Sequence, residues 1–405
     1  MPVVYSFFKI LKDNILPLSS KIYYYFRKRD KNIWVFGEWF GKRCCDNCLY
    51  FANYLSQKHP ELQLYWITSK ETDVSALSKD IVCIEKDTPH AVSILKKAGV
   101  VIYVQGMSDI TNGATMYHSG AIVVNLWHGV PWKKIGADKE KFAKRRQLFN
   151  MRMQYTLYGS KYYLALSNDF FDILRKAYFC DSQNIIKAGY PRNSLFYEKE
   201  NLKTCRNRLI EYLKTHYDVE IDDSVRFICY MPTFRDHVND VFSFFAEANS
   251  DLLNLLEQNN AVILEKSHYV TESRSDGRDN KANRVYKINA DFIAQELLGA
   301  SDILITDYSS CFFDYLLLDR PIIHFLYDYN YYENDDRGLY YNKEDVVCGD
   351  VAENMEQLIW ALRENLQHPE KDKALREKRK RFYMEFESSQ ACQQIYQFIK
   401  IRLQS

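Results

Sequence analysis

Short apolar runs alternate with amphipathic stretches along most of the chain. From residue 32 onward, runs rich in Val, Ile and aromatic residues are followed by stretches with helical spacing. Such short, nearly continuous runs predict strands that are buried on both faces, as in parallel sheets. The alternation therefore predicts an α/β protein whose parallel sheets are covered by helices. The predicted strands are 33–36, 62–68, 81–84, 100–104, 121–126, 163–167, 185–187, 227–230, 262–265, 285–288, 303–306 and 321–325.

Residues 1–31 follow a different pattern. Apolar positions fall near one helical face up to Pro17, and a segment rich in Lys, Arg, Tyr and Phe follows. The apolar run is too short and too charged to span a bilayer. An amphipathic helix with a basic, aromatic flank fits the interface of a membrane, which predicts a peripheral protein on the cytoplasmic face. A helix packed on the protein's own core fits the same pattern equally well.

The length of 405 residues predicts more than one domain. A Gly/Pro turn at Gly189–Asn193 ends the first series of strands, and a second series begins at residue 227. We therefore predict a membrane-contact segment, two Rossmann-like domains, and C-terminal helices that pack back across the domain junction. Their predicted ranges are 1–31, 32–187, 188–353 and 354–405.

The composition narrows the functional classes. Apolar residues make up 47% and charged residues 26%, and the net charge is +1, so the chain is globular and no nucleic-acid partner is predicted.

Among ten cysteines, Cys44, Cys45 and Cys48 form the only cluster. A zinc site usually needs a second cluster, so we expect reduced thiols and no metal. The chain lacks Gly-x-Gly-x-x-Gly and Walker motifs, which disfavours a nicotinamide enzyme or a P-loop ATPase.

The stretch Ser301–Arg320 carries the strongest chemical signal. It predicts a buried strand over 303–306, a turn from Asp307 to Ser310, and a helix over 311–318. Ser309 and Ser310 fall at the N-cap and first turn, where backbone N–H groups and hydroxyls suit a phosphate. An ordinary Ser-capped helix fits the same residues.

Two further strands of the second series also end in polar or basic residues. Because neighbouring parallel strands end at one edge of a sheet, these side chains together favour a doubly anionic ligand. Arg337, after an acidic, Tyr-rich loop, is predicted to close over that ligand. The candidate residues that follow these two strands are Thr233, Phe234, Arg235, Lys266, Ser267 and His268.

The first series contributes a histidine. The strand 121–126 ends just before His128, which places an imidazole at the ligand-binding edge, and Gly129 permits close backbone approach. An imidazole can accept a proton near neutral pH. A turn histidine bonded to nearby backbone is the alternative. Arg192, in the Gly/Pro turn, fits either a phosphate contact or a salt bridge at a hinge.

These motifs resemble the CDP-glycerol glycerophosphotransferases, the teichoic-acid primases and polymerases and their relatives that make phosphate-linked capsules. Two positions depart from the family pattern. Val130 replaces the usual Thr, and Lys266 replaces an Arg, which keeps the charge but loses the bidentate fork. The resemblance rests on the sequence runs 127–136, 189–193, 232–235, 305–310, 313–314, 320–321 and 337–338.

The resemblance implies a glycosyltransferase-B-like fold with two parallel sheets that face each other across a cleft. It implies a CDP-alditol donor bound by the second domain, a lipid-linked or polymeric glycan acceptor bound by the first, release of CMP, and no resident cofactor. His128 is expected to act as the base, and His268 is the other expected catalytic residue. Residues expected to contact substrate are Gly129, Val130, Pro131, Trp132, Arg192, Thr233, Phe234, Arg235, Lys266, Ser267, Asp307, Ser309, Ser310, Asp314 and Arg337.

Two other functions fit parts of the pattern. A transferase that uses a sugar nucleotide fits the same scaffold, because fold alone does not fix chemistry. A non-enzymatic module that binds an anionic polymer fits the basic strand ends, but it gives no reason for a histidine at the end of a strand.

Overall fold

The chain forms two compact units. The computed structural model describes residues 16–113, 115–139, 161–233, 242–266, 284–329 and 338–404, with 148–149, 151–152 and 155. Unit 1 consists of Met1–His128, Gly136–Ser194 and Phe386–Ser405, and unit 2 consists of Gly129–Ile135 and Leu195–Glu385. The division thus follows Ser194, whereas the sequence pattern put it after residue 187.

Unit 1 is built on a parallel sheet of seven strands in the order β3-β2-β1-β4-β5-β6-β7. This is the order of a doubly wound fold, in which the direction of winding reverses between β1 and β4. The strands are β1 Asp30–Phe36, β2 Gln63–Thr68, β3 Val82–Glu85, β4 Ala98–Tyr103, β5 Ile122–Asn125, β6 Tyr162–Ala165 and β7 Ile185–Lys187. Its described helices are Leu16–Tyr25, Asn47–Lys58, Pro89–Leu95, Asn168–Tyr178 and Ala391–Gln404.

Unit 2 repeats this topology with six parallel strands in the order β10-β9-β8-β11-β12-β13. Its winding reverses between β8 and β11. The strands are β8 Arg226–Met231, β9 Ala261–Lys266, β10 Val285–Ile288, β11 Ile303–Thr306, β12 Ile322–Phe325 and β13 Asp350–Ala352. Its described helices are Lys199–Tyr217, Phe244–Glu247, Ser250–Gln258, Ala294–Ala300, Cys311–Tyr315, Lys343–Val346, Met355–Gln367 and Lys373–Tyr383.

Each sheet contributes to a hydrophobic core of its own. The central strands are buried along their length, which explains why they lack the alternation of a half-exposed strand. Among the described helices, none is long and apolar enough to cross a membrane. In unit 2, residues of the sheet and of two covering helices form one cluster that includes Ile228, Ile263, Ile305, Ile323, Leu252, Leu255, Leu358 and Leu362.

The twelve strands expected from sequence are present with slightly shifted ends, and β13 was not expected. The C-terminal helices are divided between the units. Met355–Gln367 and Lys373–Tyr383 belong to unit 2, while Ala391–Gln404 belongs to unit 1.

Candidate active site

Three neighbouring strands of unit 2 end in the residues that sequence singled out. β9, β8 and β11 are adjacent in the sheet, and the pairing of Thr306 with Met231 and of Tyr230 with Glu265 aligns their carboxyl ends. The expected convergence of Thr233, Lys266 and the turn after β11 is therefore present. This edge includes the point where the winding reverses, at which doubly wound folds bind ligands.

Asp307 joins two of these strand ends. Its fully buried carboxylate accepts hydrogen bonds through Oδ1 from the Thr233 backbone N–H at 2.8 Å and from the Thr233 hydroxyl at 2.7 Å. The same oxygen accepts from the Tyr308 N–H at 2.6 Å. Asp307 therefore holds the β8 and β11 ends together.

The serine pair precedes the predicted helix. The helix predicted over 311–318 is present: an α-helix covers Cys311–Tyr315, and a 3₁₀ turn continues it at Leu316–Leu318. The left-handed backbone of Asp319, with φ of 51°, ends the element. Ser310 is the N-cap, but its hydroxyl makes no capping hydrogen bond. Both serines are partly exposed, so their hydroxyls can reach a ligand.

Lys266 and Asp314 are already engaged within unit 2. The buried Lys266 ammonium donates to the carbonyls of Asn289 at 2.8 Å and Ala290 at 3.1 Å. Asp314 is buried and accepts a hydrogen bond from the Gln295 amide at 3.2 Å. Their roles toward substrate stay predictions. The expected site residues Phe234, Arg235, Ser267, His268 and Arg337 lie outside the described residues.

In unit 1, His128 follows β5 and is held in one orientation. Its ring stacks on Trp127, with centroids 5.1 Å apart, and meets the edge of Trp39 at 6.5 Å. Nδ1 lies 3.2 Å from the carbonyl oxygen of Val104. Because a carbonyl only accepts hydrogen bonds, Nδ1 carries the proton of the neutral ring and Nε2 keeps its lone pair. The residue is only partly exposed, and a free lone pair on Nε2 fits the role of a base.

Charged groups around His128 set its proton affinity. Burial lowers the pKa of His128 below its ordinary value of 6.5, while the Asp46 and Asp109 carboxylates act in the opposite direction. The Arg192 charge also lowers this pKa. A lowered pKa leaves the imidazole neutral at pH 7, which is the form that accepts a proton.

Arg192 contacts both His128 and Asp46 within unit 1. Its guanidinium lies 2.7 Å from Asp46 Oδ1 and donates to the His128 carbonyl at 3.1 Å. Asp46 also accepts from the Trp39 indole N–H at 3.1 Å. Arg192 thus forms a salt bridge within unit 1, while its expected place at a hinge and a phosphate contact stay predictions.

The segment after His128 belongs to unit 2. Gly129, Val130 and Trp132 are buried, and Pro131 is partly buried. The Trp132 indole N–H donates to the Tyr341 carbonyl at 3.0 Å, so this side chain is engaged in packing. Substrate contacts of these residues stay predictions.

Sequence reasoning did not find three buried carboxylates of unit 1, two of which act on His128. Glu38, Asp46 and Asp109 are buried, and none stands in a pattern typical of a catalytic group. Burial raises the pKa of Glu38 well above its ordinary value, with the Asp46 charge adding to the effect. Only their positions after strands could have indicated a role. Glu38 follows β1 and Asp109 follows β4, and the winding of the sheet reverses between these two strands.

Comparison with known proteins identifies the family. A model of the family described as CDP-Glycerol:Poly(glycerophosphate) glycerophosphotransferase matches residues 20–400. The chain belongs to this family. The family's members are transferases, and the resemblance inferred from the motifs is confirmed.

The family's curated members include teichoic-acid enzymes. The teichoic acid glycerol-phosphate transferase of Staphylococcus aureus is 28% identical over 391 residues, which are 91% of this chain and 93% of that protein. The teichoic acid poly(glycerol phosphate) polymerase of Bacillus spizizenii is 30% identical over 249 residues, 59% of this chain and 60% of that protein. The match to the corresponding polymerase of Staphylococcus epidermidis spans 43% of that protein's length.

Solved structures confirm the fold. The wall teichoic acid polymerase TagF has a TM-score of 0.77 at 21% identity, with 99% of this chain and 98% of that chain covered. Staphylococcus aureus MnaA with UDP has a TM-score of 0.54 at 12% identity, with 93% and 97% covered. The fold is glycosyltransferase-B-like, with two parallel sheets.

Proposed function

We propose that this protein transfers glycerol phosphate or ribitol phosphate from a CDP-alditol to a hydroxyl of a lipid-linked or polymeric glycan, and releases CMP. The product is a teichoic-acid-like or capsular polymer. Family membership supports the type of reaction, and TagF has been solved after soaking with CDPG. The observation that carries the proposal is the orientation of His128, whose Nδ1 is held by the Val104 carbonyl while Nε2 keeps its lone pair.

His128 is the base of the proposed reaction. Nε2 takes the proton of the acceptor hydroxyl, and the acceptor oxygen forms a bond to the phosphorus that bears the alditol. The bond between that phosphorus and the oxygen of CMP breaks, and CMP leaves with the electron pair. The reaction needs no resident cofactor, because the donor carries the transferred group.

The strand ends of unit 2 bind the donor in this proposal. The Ser309 and Ser310 hydroxyls and the Thr233 end of β8 contact the diphosphate, where fixed donors offset charge that develops on the leaving phosphate. Lys266 adds positive charge while it orders the turn at Asn289 and Ala290. Phe234, Arg235, Ser267, His268 and Arg337 are further donor contacts expected from the family motifs.

The helix Leu16–Tyr25 is proposed to bind the cytoplasmic face of the membrane. Its inner side is fixed by polar contacts, since Ser20 Oγ accepts from the Met116 N–H at 3.0 Å. Apolar side chains on this helix and just after it are exposed: Ile22 is 57% exposed, and Phe26, the residue after the helix, is 81% exposed. The sequence that follows includes Lys28, which suits anionic headgroups. The apolar face that sequence predicts before Pro17 lies almost entirely outside the described residues, so a helix packed on the protein's own core stays the alternative for that stretch.

A donor panel tests the proposed reaction. Purified protein would receive CDP-glycerol, CDP-ribitol, UDP-glucose or CMP-sialic acid together with glycan acceptors, and the released nucleotides would be measured. We expect CMP from a CDP-alditol and no nucleotide from the sugar donors. The double variant Ser309→Ala/Ser310→Ala should slow this release roughly 10²-fold, the loss seen when a fixed donor to developing charge is removed. Release from a sugar nucleotide alone would reject the proposal in favour of a sugar transferase.

A further inference from the structure

The edge where the winding of the first sheet reverses carries an unusual turn. β1 is followed by Gly37, Glu38, Trp39, Phe40 and Gly41, and β4, its neighbour in the sheet, leads into the turn capped by Asp109. Doubly wound sheets bind ligands at this edge, beyond the carboxyl ends of the strands. The mechanism proposed above uses His128 near this edge and assigns no role to the turn.

Three successive residues of this turn have left-handed backbone. Trp39 has φ of 47°, Phe40 has φ of 62° and Gly41 has φ of 79°. Residues with side chains rarely adopt this conformation, and when they do they occur singly. Two bulky aromatic residues in sequence are therefore strained, and such strain is typically found at functional sites.

Buried groups hold the strained turn in place. The Phe40 N–H donates to Asp109 Oδ1 at 2.7 Å, and the Trp39 indole donates to Asp46 Oδ2 at 3.1 Å. On the other side, the Lys86 ammonium donates to the Phe40 carbonyl at 3.1 Å. The surrounding structure thus fixes both aromatic residues, which is the condition for a strained backbone to persist.

Gly37 allows the turn to sit this close to Asp109, and the Gly41 carbonyl fixes the end of the turn. A Cβ on Gly37 would lie 2.6 Å from the Asp109 carbonyl oxygen, so no side chain fits there. The Gly41 carbonyl accepts from the Ser69 N–H at 2.6 Å and from the Thr72 hydroxyl at 2.9 Å. The turn is therefore anchored at its start and at its end.

The Trp39 ring lies beside the proposed base, and both aromatic residues of the turn reach solvent. The Trp39 ring meets the His128 ring edge-on at 6.5 Å, and Trp39 is partly exposed. Phe40 is 48% exposed although the turn around it is anchored by buried groups. Its backbone shares the Asp109 carboxylate with Val104, the residue whose carbonyl orients His128.

We propose that Trp39 and Phe40 form an acceptor subsite that stacks on a sugar ring of the acceptor next to His128. This inference rests on the proposed function and names the class of acceptor. A pyranose ring has a flat face of C–H groups that packs on an aromatic ring, and a rigid aromatic side chain provides this contact area at low entropic expense. An acyclic alditol phosphate chain has no such face. The subsite therefore favours a sugar-bearing acceptor over a bare poly(alditol phosphate).

Variants of Phe40 test the subsite, because alanine, leucine and tyrosine at this position all keep the same backbone strain. Two acceptor probes with the same octyl tail would be compared: octyl β-N-acetylglucosaminide and an octyl tri(glycerol phosphate). Phe40→Ala and Phe40→Leu should raise KM for the glycoside roughly tenfold, the effect of about 1.4 kcal/mol of stacking. Phe40→Tyr should retain the wild-type KM, and KM for CDP-glycerol should not change in any variant.

Phe382→Ala is the matched control, since Phe382 is 53% exposed and lies on the helix Lys373–Tyr383 of unit 2. Saturation-transfer NMR with methyl β-N-acetylglucosaminide, recorded without donor, measures binding of the sugar independently of turnover. Loss of the NMR signal in Phe40→Ala supports the subsite even if CDP-glycerol proves not to be the donor. An unchanged signal and KM in Phe40→Ala, or an equal loss with both acceptor probes, would overturn it.

Discussion

His128 owes its orientation to Asp109, a residue that substrate need not touch. The Asp109 carboxylate accepts backbone N–H groups from Phe40 at 2.7 Å, Gln105 at 2.8 Å and Val104 at 3.2 Å. These bonds fix the peptide whose carbonyl accepts from Nδ1 of His128. Asp109 therefore acts as a positioning residue, and it also adds a negative charge that raises the pKa of His128.

Replacing Asp109 by Asn should change both the rate and its pH dependence. The amide cannot accept through its nitrogen, so the turn at Val104 loosens, and a displacement of 1 Å can cost about 10²-fold in rate. Removal of the negative charge makes protonation of His128 less favourable, so its pKa falls further and the acid limb of kcat/KM moves to lower pH. A pH–rate profile measures both effects.

Asp80→Asn, at an exposed position, is the control for that profile. The Asp46–Arg192 pair is intact in both variants, so its charges do not account for a difference between them. An acid limb that moves to higher pH in Asp109→Asn, or a profile identical to the wild type, would contradict the positioning role.

The sequence indicated His128 as a candidate base, but it gave no indication of a role for Asp109. His128 directly follows a recognisable strand, and its residue type already indicates proton transfer. Asp109 is far from His128 along the chain and looks like any turn carboxylate. Its role depends on the order of strands, which local patterns do not specify.

A two-stranded ribbon fixes the segment that follows His128. Lys133 pairs with Leu339 in antiparallel fashion, the Lys134 N–H donates to the Gly338 carbonyl at 3.0 Å, and the Tyr340 N–H donates to the Trp132 carbonyl at 2.8 Å. Gly338 has φ of 74°, which favours glycine. The residue before it, Arg337, lies outside the described residues, and its closure over a ligand stays a prediction.

Trp132 anchors the ribbon to the turn that carries the serines. Its ring lies 5.5 Å from Tyr308 and 6.1 Å from Phe312, the two aromatic residues that flank Ser309, Ser310 and Cys311. Trp132→Ala should reduce the free energy of unfolding by about 3–5 kcal/mol, because it empties a buried site. Trp132→Phe should lose less and should bind CDP-glycerol more weakly than wild type. Urea unfolding and donor titration would measure these effects.

Trp360→Ala provides the matched comparison, since Trp360 is 52% exposed. It should unfold and bind donor like the wild type. If Trp132→Ala unfolds at the same urea concentration as Trp360→Ala, the ribbon is not anchored in the way described.

Several elements escaped prediction for reasons visible in their sequences. The helix Lys199–Tyr217 is charged on most of its surface and buries only Cys205, Leu209 and Leu213, a stripe too narrow to stand out. β13 covers only Asp350–Ala352, and its pairing with β12 is what makes it a strand. In contrast, β11 was recognisable because Ile303–Thr306 is buried throughout.

Both halves of the molecule use the same strand order for different purposes. In each unit the winding reverses between the first and fourth strands of the sheet, and the candidate groups lie near that reversal. In the proposed reaction, unit 1 would provide the base and the sugar subsite, and unit 2 would provide hydroxyl and cationic groups for the donor.

Membrane binding by the first described helix can be tested with point variants. Phe26→Ser removes an aromatic side chain that is 81% exposed, and burial of such a side chain contributes about 1.5–3 kcal/mol. Binding to vesicles that contain phosphatidylglycerol should fall roughly tenfold or more, and high salt should weaken binding of the wild type. Phe382→Ser should bind like the wild type. Equal vesicle binding by both variants would exclude the end of this helix and Phe26 as the membrane contact.

The most direct test is the rate of CMP release from CDP-glycerol and a glycan acceptor by His128→Ala. The account predicts a decrease of roughly 10²–10⁴-fold, which is the contribution of a general base. His90→Ala, at an exposed position on the helix Pro89–Leu95, should match the wild type. CMP release by a folded His128→Ala variant at a rate near that of the wild type would contradict the account.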